Sequence, residues 1–227
     1  HKKARKGLDN VTKQFLNAGN KSYKRGNLSK ATSYYEKALE FDPEFYLAYF
    51  QLGVLQKKQG QSKSAIESLK KVLEIKPDHD KTWFTLGTAY ETDGSTEKAI
   101  EHYRKAVDIN PAYSKAYGNL GKLYTDKQDY KEAENILKTI VQIDQEYADG
   151  FMRLGLLYIE LENYLDAAEN LKKSTSVIDK QNTHQESLAK SISEINNLIS
   201  ENIELNKNIS EEIRVLSKTI ANINKKQ

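Results

Sequence analysis

The sequence predicts an all-α solenoid of five 34-residue helix-turn-helix repeats, followed by a C-terminal capping or coiled-coil-like helix. Column coincidences carry that expectation. A shift of 34 residues superimposes Gly19, Gly53, Gly87, Gly121 and Gly155, and likewise Ala31, Ala65, Ala99, Ala133 and Ala167. The same shift aligns the large rings Phe15, Tyr49, Trp83, Tyr117 and Phe151, with Ala18, Leu52, Leu86, Leu120 and Leu154 as a fourth column. The three prolines of the chain, Pro43, Pro77 and Pro111, also fall in one column. Self-similarity at such a period marks stacked units, because a single helical hairpin cannot cover its own apolar face.

Within each unit, apolar residues recur three and four apart in two stretches, the spacing of two amphipathic helices. Gly26, Gly60 and Gly94 lie between the stretches, where a helix end favours left-handed backbone. Asn27, Ser95, Asp129 and Asn163 follow as N-caps of the second helix, and Asp129 with Glu132 has capping-box spacing. The glycine and alanine columns mark where two helices approach closely, and the aromatic column fills the gap opposite. The repeats are bounded at 12–45, 46–79, 80–113, 114–147 and 148–181, after a basic segment 1–11 expected to be a solvated terminus.

These columns resemble the tetratricopeptide repeat family. The third unit carries its pattern most fully, in Trp83, Leu86, Gly87, Tyr90, Ala99, Tyr103, Ala106 and Pro111. The resemblance covers residues 12–181 and departs at Ser22 in the first unit and Ser174 in the fifth. It implies a right-handed superhelical solenoid whose first helices line a concave, peptide-binding groove. Carried over residue by residue, the lining is Lys13, Leu16, Asn17, Asn20 and Lys24, then Phe50, Gln51, Val54, Lys57 and Lys58. The third unit supplies Lys81, Phe84, Thr85, Thr88 and Glu91. Lys115, Asn119, Lys122 and Asp126 follow from the fourth, and Asp149, Met152, Arg153, Leu156 and Glu160 from the fifth.

That lining is cationic, with an apolar strip from Phe50, Phe84, Met152 and Leu156 and a pocket expected at Gly118. The competing reading is that Phe50 and Phe84 pack on neighbouring helices. Some members of the family clamp the C-terminal carboxylates of heat-shock chaperones. Of the five clamp positions only Asn20 and Lys81 match here, with Leu16, Gln51 and Thr85 in the others, so chaperone tails are not the expected ligand.

Beyond Asp179 the period fades, and residues 182–227 contain no Gly, Pro or aromatic residue. Leu188, Ala189 and Ile192 occupy the columns of a sixth first helix, which would cap the stack. A heptad seam runs through the same stretch, in Leu188, Ile192, Ile195, Ile199, Asn202, Asn206, Ile209, Ile213, Leu216, Ile220 and Ile223. Two readings stay open. Either the seam pairs with a second copy in a homodimer, or the helix folds back onto the solenoid with a bend at Asn202 and Asn206 and a new start at Ser210.

Composition narrows the function classes. A net charge of +3 lacks the concentrated basic face that nucleic acid requires. No apolar run is long enough to span a membrane. With no cysteine, disulfides, thiolate metal sites and cysteine nucleophiles are excluded. His1, His79, His102 and His184 share no metal-ligand spacing, and His102 is expected to face solvent. No phosphate loop, nucleophile elbow or catalytic carboxylate pair is present. The sequence therefore predicts a non-enzymatic adaptor, without cofactor, whose groove takes a peptide or helix bearing acidic and apolar side chains. The alternatives are a self-associating assembly module and a regulatory domain of a longer parent. The start at His1 leaves both a removed leader and a cytoplasmic location open.

Overall fold

The computed structural model describes the backbone of residues 2–181 and 193–208, with side chains from Asn10 onward in those ranges. Ten helices follow in order among the described residues: α1 (Lys2–Lys24), α2 (Leu28–Phe41), α3 (Tyr46–Lys58), α4 (Ser62–Ile75), α5 (Asp80–Thr92), α6 (Thr96–Ile109), α7 (Ser114–Asp126), α8 (Tyr130–Ile143), α9 (Ala148–Glu160) and α10 (Tyr164–Gln181). A further helical stretch covers 193–208. The second helices begin at Leu28, Ser62, Thr96, Tyr130 and Tyr164, each 34 residues after the last. The basic opening run, expected to fray, is helical from Lys2 as part of α1.

The chain divides into two compact units, His1–Ala116 and Tyr117–Gln227. In the first, α1 pairs with α2, α3 with α4 and α5 with α6; α2 then packs on α3 and α4 on α5. The first helices also meet, α1 against α3 and α3 against α5. Tyr35, Leu55, Leu69, Leu86 and Tyr103 are fully buried here. In the second unit α9 packs against both α8 and α10 around Leu137, Ile140, Leu157 and Leu171.

The glycine column does what the sequence requires of it. A Cβ on Gly87 would lie 2.5 Å from the Tyr103 ring, and one on Gly155 would lie 2.7 Å from Leu171 Cγ. Only a missing side chain lets the partner residue of the second helix cross the first at that depth. Ser174, the departure in the fifth repeat, is fully buried, and its hydroxyl donates to the Ala148 carbonyl at 2.8 Å. Its polarity is thus satisfied inside the core.

Each hairpin turns through one left-handed residue. Gly26, Gly60 and Gly94 have φ of 78°, 76° and 77°, and the same column is filled by Gln128 (60°) and Glu162 (57°) in the last two repeats. The capping expectation holds at Asn27, whose side chain accepts from the Lys30 amide. Ser95 and Asp129 make no side-chain cap. Ser95 instead donates its hydroxyl to Asp93 at 3.2 Å; nothing in the structure explains the missing bond at Asp129. Between repeats the chain bends through Asx turns. Asp42, Asn110 and Asp144 accept from the amides of Glu44, Ala112 and Glu146 at 3.0, 3.1 and 3.1 Å. The turn at Asp144 therefore forms without the proline.

The helix over 193–208 continues through Asn202 and Asn206, where a bend was one of the two expectations. Asn202 donates to the Leu198 carbonyl one turn back, so its side chain is accommodated without opening the helix. Ile199 is only 3% exposed, covered by its own chain, whereas Leu198 and Leu205 are 58% and 56% exposed.

Candidate functional site

In the first unit the site is built on the stripe of α1 that carries Lys13, Asn17, Asn20 and Lys24, together with the neighbouring faces of α3 and α5. Spacings of three and four keep these residues on one side of a helix. Lys13, Asn17 and Lys24 are exposed. Asn20 is half-buried and accepts a 2.9 Å hydrogen bond from the Tyr35 hydroxyl, tying the face to the core. Burial, with Tyr23 nearby, pushes that hydroxyl up to about 12.

Lys57 of α3 bridges to α5, donating to the Thr88 hydroxyl at 2.8 Å. Desolvation lowers its pKa from the usual lysine value, while Glu91 works in the opposite direction. Glu91 in turn accepts from the Tyr103 hydroxyl at 2.9 Å. The Lys58 ammonium sits 4.9 Å over the Tyr23 ring. Lys81 and Lys115 are exposed. Lys13, Lys24, Lys58, Lys81 and Lys115 have no ion-pair partner among the described residues.

The apolar strip is covered in part. Phe50 is half-buried with its ring edge-on to His79 at 5.2 Å. Phe84 is half-buried between Tyr113 at 4.9 Å and Tyr103 at 5.5 Å. Both rings thus pack on the turn that leads into the next repeat, and Val54, one helical turn from Phe50, is half-buried as well.

In the second unit the pocket expected at Gly118 is filled. A Cβ there would lie 2.6 Å from the Tyr147 hydroxyl, 3.2 Å from Asp149 and 3.4 Å from Arg153. The physical reason is a column exchange. Leu16, Phe50, Phe84, Gly118 and Met152 are repeat-equivalent, as are Phe45, His79, Tyr113 and Tyr147. Where Phe84 meets Tyr113 ring to ring, glycine lets Tyr147 advance onto the backbone of α7.

Tyr147 donates to Asp149 at 2.8 Å, and Arg153 donates from Nε to the same carboxylate oxygen at 2.7 Å. Burial, then the Asp149 charge, raises the Tyr147 pKa well above the ordinary tyrosine value. The Lys122 ammonium lies 3.4 Å from Asp126. Arg153 and Lys122 are therefore each matched by an acid, and the cationic character expected of the whole lining narrows to the first unit. Asn119 and Met152 are half-buried, and Leu156 is 40% exposed.

Of the self-association residues, Ile195 is half-buried and Ile199 buried. Ile192, Ile209, Ile213, Leu216 and Ile220 lie outside the described residues. His102, expected to face solvent, is half-buried between the rings of Tyr90 and Trp83, at 4.8 and 5.4 Å. Its Nδ1 lies 2.7 Å from the Lys98 carbonyl. The signal missed was its place one residue before Tyr103, beside the face that buries the alanine column.

Among the described residues no group of three or more His, Cys, Asp or Glu could hold a metal ion. No described helix is long and apolar enough to cross a membrane.

Tetratricopeptide repeat models match residues 19–60, 46–79, 91–154 and 148–180. No curated protein matches the sequence. Solved structures share the fold. PilF of Pseudomonas aeruginosa superposes with a TM-score of 0.70 at 18% identity, over 87% of this chain and 93% of its own. MamA from Desulfovibrio magneticus RS-1 gives 0.66 at 20% identity, over 76% of this chain and 98% of its own. YrrB, described as a TPR protein with an unusual peptide-binding site, gives 0.61 at 23% identity, over 79% of this chain and 90% of its own. Hairpins recurring at 34 residues, a glycine column that admits the opposing helix and four matching repeat models together make this chain a member of the tetratricopeptide repeat family, whose repeats generally serve protein–protein interaction.

Proposed function

We propose that the chain is a non-enzymatic adaptor and that the α1–α3–α5 face of its first unit binds a peptide or helix carrying acidic and apolar side chains. The observation that carries this reading is the charge balance of that face. Lys13, Lys24, Lys58 and Lys81 stand without acidic partners among the described residues, while Lys122 and Arg153 of the second unit's lining are paired. Half-buried Phe50, Val54 and Phe84 supply the apolar floor between the lysines. A carboxylate bound there would also find Lys57, already partly desolvated.

The test uses the full chain and a fluorescein-labelled probe peptide of alternating Glu and Leu. Lys24→Glu, Lys58→Glu and Lys81→Glu together should leave helicity unchanged and weaken binding about tenfold or more. Raising salt from about 0.05 M to about 0.5 M should weaken the parent's binding, because exposed attraction is screened. Affinity indifferent to both changes would overturn the proposal.

A second reading is self-association through the C-terminal segment. Leu198 and Leu205, both more than half exposed, favour it. Because Ile199 is covered by its own chain, the outward contact in the described part would run through these two leucines.

A further inference from the structure

The same cleft recurs in the second and fifth repeats with opposite charge. In the second it has a volume of about 530 Å³ and is walled by Pro43, Glu44, Tyr49, Lys71, Glu74 and Ile75. In the fifth it has about 490 Å³, between the end of α8, the start of α9 and the last turns of α10. Three shifts of 34 residues carry Tyr49 onto Phe151, Lys71 onto Lys173 and Ile75 onto Val177. The clefts are therefore one structural feature dressed with different side chains.

The dressing decides what each can bind. The second-repeat wall holds one lysine and two glutamates, Glu44 and Glu74, with Glu74 2.7 Å from Lys71. In the fifth repeat Ser176 replaces Glu74, and Lys180 stands where Asp78 stands in the earlier unit. The fifth-repeat wall carries two lysines and no acid, over an apolar floor of Val141, Phe151 and Val177. Lys173 does pair with Glu169 at 2.6 Å. That pair is exposed on both sides and one turn back along α10, so it holds the ammonium weakly. Glu169 is not part of the cleft wall. An anion entering the second-repeat cleft meets like charge; one entering the fifth meets two lysines, amides and the Ser176 hydroxyl, with Glu146, the counterpart of Glu44, outside the wall.

We propose that the fifth-repeat cleft is a second docking site, taking a partner segment that lays a bulky apolar side chain on Phe151 and sets an adjacent carboxylate against Lys173 and Lys180. Burial of that side chain on Val141, Val177 and the accessible edge of Phe151 supplies the attraction, and the two lysines select an acid over a neutral or cationic neighbour. The site lies wholly in the second unit and does not use the α1–α3–α5 face, so the two proposals stand or fall separately.

The experiment follows valine-methyl NMR signals of Val141 and Val177 in the full chain. The probes are N-acetyl-tryptophan, which has an indole and a carboxylate, and its neutral amide. The acid should shift both methyls saturably, and the amide should bind about fivefold or more weakly, as expected for loss of an exposed charge contact. Lys173→Glu with Lys180→Glu should abolish the preference for the acid; Lys180→Gln should halve it or more. Lys71→Glu in the second-repeat cleft should change nothing. Equal binding of acid and amide, no saturable shift, or indifference to Lys173→Glu and Lys180→Glu would each overturn the proposal. The triple lysine reversal on the first unit should leave these shifts intact, which separates failure here from failure there.

Discussion

Gln128 and Glu162 hold the left-handed turn position that glycine occupies in the first three repeats, at φ of 60° and 57°. A side chain in that region costs about 1 kcal/mol through its Cβ. Gln128→Gly and Glu162→Gly should therefore each stabilise the fold by about 0.5–1 kcal/mol, read as a higher urea midpoint. An unchanged or lower midpoint would mean the turn is held by contacts of these side chains instead. His102 is set by its surroundings in the opposite sense. Burial between Trp83 and Tyr90 lowers its pKa, with Lys70 and Lys98 adding to the effect and the Lys98 carbonyl and Glu101 opposing it. A folded pKa below the unfolded one means that the unfolded chain takes up the proton first. The resulting stability is complete above about pH 6.5 and is lost as pH falls through the folded value. His79, also lowered chiefly by burial, acts in the same direction. The thermal midpoint should fall between about pH 7.5 and about pH 5.5, and His102→Phe should flatten part of that slope. A slope identical in parent and variant would remove His102 from the account.

The hairpins were legible in the sequence because the period is carried by residues with no alternative. Gly87 sits where a Cβ would meet the Tyr103 ring at 2.5 Å, so nothing larger fits. Gly87→Ala should destabilise by about 1–3 kcal/mol, the range for overpacking a close contact, as measured by urea unfolding. Gly26→Ala, with open space around its Cβ, should cost only the left-handed backbone, about 1 kcal/mol. Equal losses at the two positions would contradict the distinction between close approach and turn geometry. The binding face was less legible, and the reason is specific. Phe50 and Phe84 occupy a groove register, yet each is half-covered by a ring 29 residues further on, His79 and Tyr113. A helical stripe records which side a residue faces but not what the turn after the second helix places over it. Gly118 misled for the same reason, since its partner Tyr147 lies in the following turn and fills the space a pocket would need. The charge pairs at Asp149 and Asp126 were closer to reading, being four residues from Arg153 and Lys122. Spacing alone did not say which of many such pairs close.

The two units present different chemistry, and that division shapes what the chain as a whole can do. The first carries lysines without acidic partners among the described residues along α1, α3 and α5. The second pairs its lining charges, opens a cationic cleft beside Phe151 and continues into the helix at 193–208. That helix turns Ile199 inward and leaves Leu198 and Leu205 outward, seven residues apart and thus on one face. Two outward leucines at heptad spacing are the minimum seam by which helices from two copies meet, and exposed apolar stripes of this kind are usually covered. If a second copy covers them, the full chain should sediment as a dimer whose fraction rises with concentration. Leu198→Glu with Leu205→Glu should return it to a monomer, because like charges would face each other across the seam. The inward residue provides the control. Ile199→Ala should instead lower stability by about 2–5 kcal/mol in monomer and dimer alike, as loss of a buried side chain does. A chain that is monomeric at every concentration would end the self-association reading. A dimer untouched by the leucine substitutions would move the contact to another part of the molecule.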